Sequence, residues 1–256
     1  TGLVVLGWDD ALAFTQAADE TGIPIILQAG PSCRAHTPIP ILGKMFRYLA
    51  SQTKTNICCH VDHGYTLDEC YEGIDSGFTS VMFDGSKLTL KENIKISKKI
   101  ASRAHKHNIS VEGEIGFVGY DNGKISEGTN IEDAVTFANK SNIDAMAISV
   151  GNTHLQTSKK ASIDFNKINL IEAKTKIPLV LHGSSGIPVE QRKKLARKTK
   201  VAKLNIGTEI RMTFGEALRK NLKNNPKTYD RLQLLKPTIK DLTKVTKKII
   251  KQIGPN

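Results

Sequence analysis

The stretch "CCHVDHGYT", Cys58–Thr66, sets two histidines around an aspartate directly after an apolar run that reads as a buried strand. An ordinary turn at that point would use Asn, Asp and Gly. A lone histidine at a strand end is commonly a hydrogen-bonded structural residue, so the meaning of His60, Asp62 and His63 depends on how the other strands end. Seven further short apolar or β-branched runs alternate with longer amphipathic stretches: "LVVLG", "PIILQ", "TSVMF", "ISVEGEI", "IDAMAISV", "IPLVLHG" and "VAKLNIG". Eight runs in βα alternation predict a parallel TIM (β/α)8 barrel. A doubly wound open sheet is the competing α/β fold, but no GxGxxG fingerprint follows the first run. The stretch "DDALAFTQAADETG" exemplifies the helices: Ala11, Phe14 and Ala18 share a side, and Gly22 ends it.

In such a barrel, chemistry belongs at the carboxyl ends of the strands. The third run ends in His60, Asp62 and His63, and the fifth carries Glu112 and Glu114. The sixth leads to "SVGNTH" with His154, and the seventh ends in His182. Imidazoles and carboxylates from four strands therefore converge on one rim. Their joint desolvation calls for a compensating charge, which a divalent zinc held by three neutral imidazoles with an open position would supply. The turn after the seventh run offers Gly183, Ser184, Ser185 and Gly186; the end of the eighth offers Asn205, Ile206, Gly207 and Thr208 before a helix. Small residues there expose backbone N–H groups, and a helix N-terminus favours an anion such as phosphate.

Composition narrows the classes. The 256 residues suit one barrel domain over 1–256, with no pooled Pro, Gly or Ser that would mark a linker. The net charge of +12 raises the question of nucleic acid. Much of it, however, lies in "KPTIKDLTKVTKKIIKQIG", where Ile239, Leu242, Val245, Ile249 and Ile250 at helical spacing predict a C-terminal helical extension with a solvated basic face. Few aromatics interleave with those lysines, as nucleic-acid stacking would need. Cys33, Cys58, Cys59 and Cys70 show no CxxC spacing, which fits reduced thiols in a cytoplasm. No apolar run is long enough to span a bilayer. The chain opens on the strand-like "TGLVVLGWDD", which leaves room for a native segment ahead of it.

"HVDHG", "VEGEIG", "LVLHGSSGIP" and "KLNIGTEIR", in this order and spacing, make the sequence similar to the class II, metal-dependent ketose-bisphosphate aldolases, which include the fructose- and tagatose-1,6-bisphosphate enzymes. "NPKTYDRLQLLKP" resembles that family's C-terminal segment. The resemblance implies a lyase of carbohydrate metabolism, glycolysis included, that cleaves a phosphorylated ketose to dihydroxyacetone phosphate and an aldehyde. It implies zinc on His63, His154 and His182, with Glu114 at an alternative or second metal position and a monovalent cation in addition. Asp62 is then the catalytic acid/base, and Gly183, Ser184, Ser185, Asn205, Ile206, Gly207 and Thr208 bind the phosphate. Relatives are often dimers or tetramers, so a homo-oligomer is expected. His60 reads as an orienting hydrogen-bond partner for its neighbours.

Five positions depart from the family pattern. Leu155 follows the sixth-strand histidine where many relatives have Gly, and Ser184 replaces a second Gly. In "FVGYDNGK", Asp121 is the candidate for the acid that protonates the enediolate, and Asn122 follows it. Gly30 stands where relatives offer a serine, with Ser32 displaced; Arg231 is off register with the family's C-terminal arginine. These changes bear on the distal half of the substrate. Two other readings stay open: a zinc barrel hydrolase, which leaves the phosphate loops without a purpose, and a catalytically silent relative that binds sugar phosphate or RNA.

Overall fold

The computed structural model describes residues 1–120, 126 and 128–255. The strands are β1 (Gly2–Val5), β2 (Ile25–Ala29), β3 (Ile57–Gly64), β4 (Ser80–Phe83), β5 (Ser110–Ile115), β6 (Gly119–Tyr120), β7 (Ala145–Ile148), β8 (Thr153–His154), β9 (Leu179–Leu181) and β10 (Val201–Ile206). The helices are α1 (Trp8–Thr21), α2 (Pro31–His36), α3 (Ile39–Ser51), α4 (Leu67–Asp75), α5 (Leu90–Ala104), α6 (Ile131–Ser141), α7 (Phe165–Lys174), α8 (Val189–Lys198), α9 (Thr208–Asn224), α10 (Arg231–Leu235) and α11 (Thr238–Ile253). Eight strands close a barrel in the order β1-β10-β9-β7-β5-β4-β3-β2, while β6 and β8 pair with each other as a short ribbon. All eight runs named from sequence became barrel strands, all parallel to their neighbours. Closure excludes the doubly wound sheet.

Side chains alternate between two environments because the strand period is two. The outward set, including Leu27, Val61, Val81, Phe83, Met146 and Leu181, packs against helix residues such as Phe14, Phe46, Ile100 and Phe137 in one large apolar core. Each fully buried Leu or Phe there contributes roughly 1.5–3 kcal/mol. The inward set is different. Met82, Ala147 and Val180 form a small separate apolar cluster. Around them the buried positions are polar: Gln28, His60, Asp62, Ser80, Glu112, Glu114, His182, Lys203 and Asn205.

Helix ends are set locally. Thr66 accepts the Glu69 amide while Glu69 reaches back, a reciprocal cap that starts α4 directly after β3. Gly22, at φ 67, ends α1 as expected. The expected C-terminal helical extension forms as α11, with Leu242, Ile249 and Ile250 buried. Thr243 Oγ1 donates to the Ala13 carbonyl of α1 at 3.4 Å, tying the extension to the first helix. No helix among the described residues is long and apolar enough to cross a membrane.

Candidate active site

Strand alternation alone would put His60 and Asp62 inside the barrel and turn His63 outward. His63 instead has φ 53, a left-handed conformation that L-residues other than glycine seldom adopt. The β3–β4 register shifts between Val61 and Gly64 at the same place. Asp62 and His63 thereby both line one cavity at the carboxyl end of the barrel. Arg34 holds this kink: its guanidinium donates to the carbonyls of Ala29 and Asp62 through Nη1 and to that of His63 through Nη2, the last at 2.9 Å. Its charge is met by Glu69 at 3.5 Å.

Three imidazoles meet across the cavity. His63, on β3, His154, on β8, and His182, one residue beyond β9, each present a ring nitrogen within 4.8 Å of the others. His63 Nδ1 lies 2.9 Å from Asp84 Oδ2, and His182 Nε2 lies 2.9 Å from Glu112 Oε1. A carboxylate only accepts, so these two ring nitrogens carry the hydrogens. The remaining nitrogens, His63 Nε2 and His182 Nδ1, face each other at 2.7 Å. Two lone pairs that close require a proton or a cation between them. The donor chemistry therefore fits a bound metal, with His63 and His182 each oriented by a carboxylate behind it. Burial disfavours charge on His63, yet Asp62, the Asp84 hydrogen bond and Glu114 outweigh it and raise its pKa to about 9. Burial and the charge of His63 lower His154 to about 4 and push His182 well below the usual histidine value.

Glu114 Oε2 sits 3.6 Å from His63 Nδ1, and it forms a second ligand-like group with His63 and Asp84. Burial, then the neighbouring Asp84, pushes its carboxyl well above the usual carboxylate range. Asp62 goes the other way: burial opposes its charge, but His63, His182 and Lys203 prevail and keep it ionised. Asn205 Nδ2 donates to Asp62 Oδ1 at 3.3 Å. Below lies a buried chain of contacts. Lys203 Nζ is 2.6 Å from Glu112 Oε2 and 3.1 Å from His60 Nε2, and His60 Nδ1 is 2.8 Å from Ser80 Oγ. His60 is thus an orienting residue, as the sequence led us to expect.

The cavity, of about 310 Å³, is also lined by Gly183, Ser185, Asn205, Gly207, Thr208 and Arg211. Ser185 Oγ accepts from the amides of Gly207 and Glu209, drawing the two small-residue loops together at the start of α9. Two of the expected phosphate-loop side chains are elsewhere. Ser184 is fully buried and donates to the Leu181 carbonyl, and Ile206 points into the outer apolar core because it alternates with Asn205. Leu155, at φ 56, and Tyr120 line the mouth, the latter stacked on His154 with ring centroids 5.0 Å apart. Gly30 and Ser32 both line it too, whereas Arg231 borders a separate cleft with Asp9 and Asp10. Asp121 and Asn122 lie outside the described residues.

Four residues of this site escaped the sequence reading. Lys203 had a signal, since it shares strand parity with Asn205. Asp84 is the first residue after β4, and Arg211 lies one helical turn past Gly207. Arg34 had none, because its role depends on a carbonyl geometry formed by distant residues.

A closed parallel barrel with imidazoles and carboxylates gathered at one mouth defines an enzyme whose site is suited to a metal. The family model described as fructose-bisphosphate aldolase class-II matches residues 2–256. The chain is 34% identical over 248 residues to a 6-phospho-5-dehydro-2-deoxy-D-gluconate aldolase of Halalkalibacterium halodurans, covering 93% of this chain and 84% of that protein. It is 32% identical over 249 residues to a fructose-bisphosphate aldolase of Staphylococcus aureus, covering 94% and 87%. Its fold is similar to that of the YdjI aldolase from Escherichia coli K12, with a TM-score of 0.85 and 25% identity over 99% of this chain and 90% of that one. The chain belongs to the class II fructose-bisphosphate aldolase family and is an aldolase, an aldehyde-lyase of a metal-dependent class that acts on phosphorylated sugars.

Proposed function

We propose that the chain is a zinc aldolase that reversibly cleaves a ketose phosphate to dihydroxyacetone phosphate and an aldehyde. The observation that carries this reading is the cavity itself, where Asp62 stands beside the three-imidazole set and opposite the small-residue loops at Ser185 and Gly207. His63, His154 and His182 would hold the metal, and an all-nitrogen set of three with an open position suits zinc. Bound there, the metal supplies Lewis acidity to the substrate carbonyl. Asp62, ionised and fixed by Asn205, accepts the proton of the hydroxyl on the carbon that becomes the aldehyde. Arg211 and the positive end of the α9 dipole beside Thr208 attract the phosphate. Asp121 is the residue we assign to proton return at the other fragment. A monovalent cation, a homo-oligomeric state and a cytoplasmic location complete the reading, consistent with four free thiols.

The relatives' names describe ketones next to a phosphorylated carbon that differ at the far end, a second phosphate in one and a carboxylate in the other. The departure at Gly30 lies in the cavity lining and Arg231 stands in a separate cleft, away from the substrate, so a ketose phosphate with a distal group other than that of fructose 1,6-bisphosphate is the preferred substrate. The test is kcat/KM, by coupled detection of dihydroxyacetone phosphate, across fructose 1,6-bisphosphate, tagatose 1,6-bisphosphate and 6-phospho-5-dehydro-2-deoxy-D-gluconate. Release from none of them overturns the proposed reaction; fructose 1,6-bisphosphate ahead of all others overturns the altered preference.

A further inference from the structure

The first turn of α9 carries an acidic residue, Glu209, directly after Gly207 and Thr208, which line the cavity where the proposed phosphate would bind. The N-cap, Gly207, has no side-chain cap, and the amides of Gly207 and Glu209 point to Ser185 Oγ in the loop from β9. Glu209 is the second residue of this helix. A carboxylate there is favourable to an empty helix end, because it meets the positive pole of the helix dipole. The same carboxylate repels an incoming phosphate. Such a placement weakens anion binding unless something neutralises it.

Arg192 is in a position to do so. It lies on α8, the helix that follows the Gly183–Gly186 turn, and its side chain has no exposed surface. Nη1 lies 3.0 Å from Glu209 Oε2. Nε, Nη1 and Nη2 make no well-aligned hydrogen bond among the described residues, so the ion pair with Glu209 is the charge compensation the structure shows for this buried guanidinium. Lys159 reaches the other carboxylate oxygen at 3.6 Å, but it is nearly half exposed and correspondingly screened. A buried arginine in a helix whose other fully buried side chain is Leu195 is a costly choice where an apolar residue would fill the space.

We propose that Arg192 is a positioning residue for phosphate recognition: its guanidinium holds and neutralises Glu209, leaving the N-terminus of α9 open to the dianionic group of the substrate. The proposal rests on the assignment of the Ser185 and Gly207 loops to phosphate. A mere structural brace makes the opposite prediction for one of the two partners, which is what separates them.

The experiment is calorimetric titration of the protein with inorganic phosphate, accompanied by steady-state kinetics on the cleaved ketose phosphate. Arg192→Met is expected to weaken phosphate binding by about tenfold or more and to raise KM with kcat little changed, since it leaves an uncompensated carboxylate close to the anion. Glu209→Gln, which leaves the arginine charge in place, is expected to tighten binding several-fold, about as a gained unit charge at this range would. Arg192→Met combined with Glu209→Gln should return close to wild type. If Glu209→Gln weakens phosphate binding, the pair is a brace and the proposal falls. If Arg192→Met does not fold, the sign of the Glu209→Gln effect and the double variant decide. Wild-type protein that binds no phosphate overturns the loop assignment and this proposal together, whereas tight wild-type binding that none of the variants changes overturns this proposal alone.

Discussion

His63 Nε2 and His182 Nδ1 are 2.7 Å apart while each ring's other nitrogen is held by a carboxylate, Asp84 for the first and Glu112 for the second. In the metal-free chain the proton on His63, with its pKa raised to about 9, bridges this pair. A metal must displace it. The affinity for zinc is therefore expected to rise with pH, by up to about tenfold per unit from neutrality to the neighbourhood of pH 9, and then to level off. Titration in two buffers of different ionisation enthalpy at pH 7.5 should register proton release on zinc uptake; none would contradict the bridged pair.

Replacing His182 with alanine removes one of three nitrogen donors. Elemental analysis after dialysis should find the variant depleted of zinc, and cleavage should be lost with it. A variant that keeps a full complement of metal would show that the ligand set lies elsewhere.

Changing Asp62 to alanine is expected to leave zinc content and thermal unfolding close to wild type while kcat drops by roughly two to four orders of magnitude, the usual worth of a positioned proton acceptor. Its main-chain carbonyl, which Arg34 grips, is untouched by the substitution. Near-normal turnover would remove Asp62 from the proton path.

Lys203 and Glu112 form a buried ion pair at 2.6 Å. Lys203→Met strands the carboxylate that orients His182, and the expected loss is about 3–5 kcal/mol of stability, measured by chemical denaturation. Adding Glu112→Gln should recover much of it. Equal instability of the single and double variants would mean that shape, not charge, matters at this position.

A methyl at Gly183 would stand 2.2 Å from the Thr153 carbonyl oxygen, and the residue's φ of 63 is one that alanine resists. Gly183→Ala should displace the phosphate loop, with KM for the ketose phosphate rising about tenfold. An unchanged KM would detach this turn from substrate binding.

The barrel could be read because its strands differ in parity. Val61 and Leu204 face the helices, and His60, Lys203 and Asn205 face inward, so eight short runs and the rim histidines were visible from spacing alone. His63 was found as a residue but not as a geometry. Its inward aim needs a left-handed backbone whose Asp62 and His63 carbonyls Arg34 holds from α2, and such non-local contacts leave no local pattern. Ile206 shows the same limit from the other side: the motif placed it among phosphate-binding residues, while alternation buried its side chain in the outer core. The basic charge of the chain was read as a solvated surface, which suits α11, yet Arg34 and Lys203 are interior cations at the site and Arg192 is a third buried one.

The three imidazoles proposed as metal donors are dispersed along the sequence, on β3, on β8 and just past β9. During translation a ribosome has released Asp62 and the first imidazole long before His182 is made. A nascent chain cannot complete the three-nitrogen set at that stage. On the proposed ligand set, a metal can be loaded only after β9 has joined the barrel, so loading would follow closure.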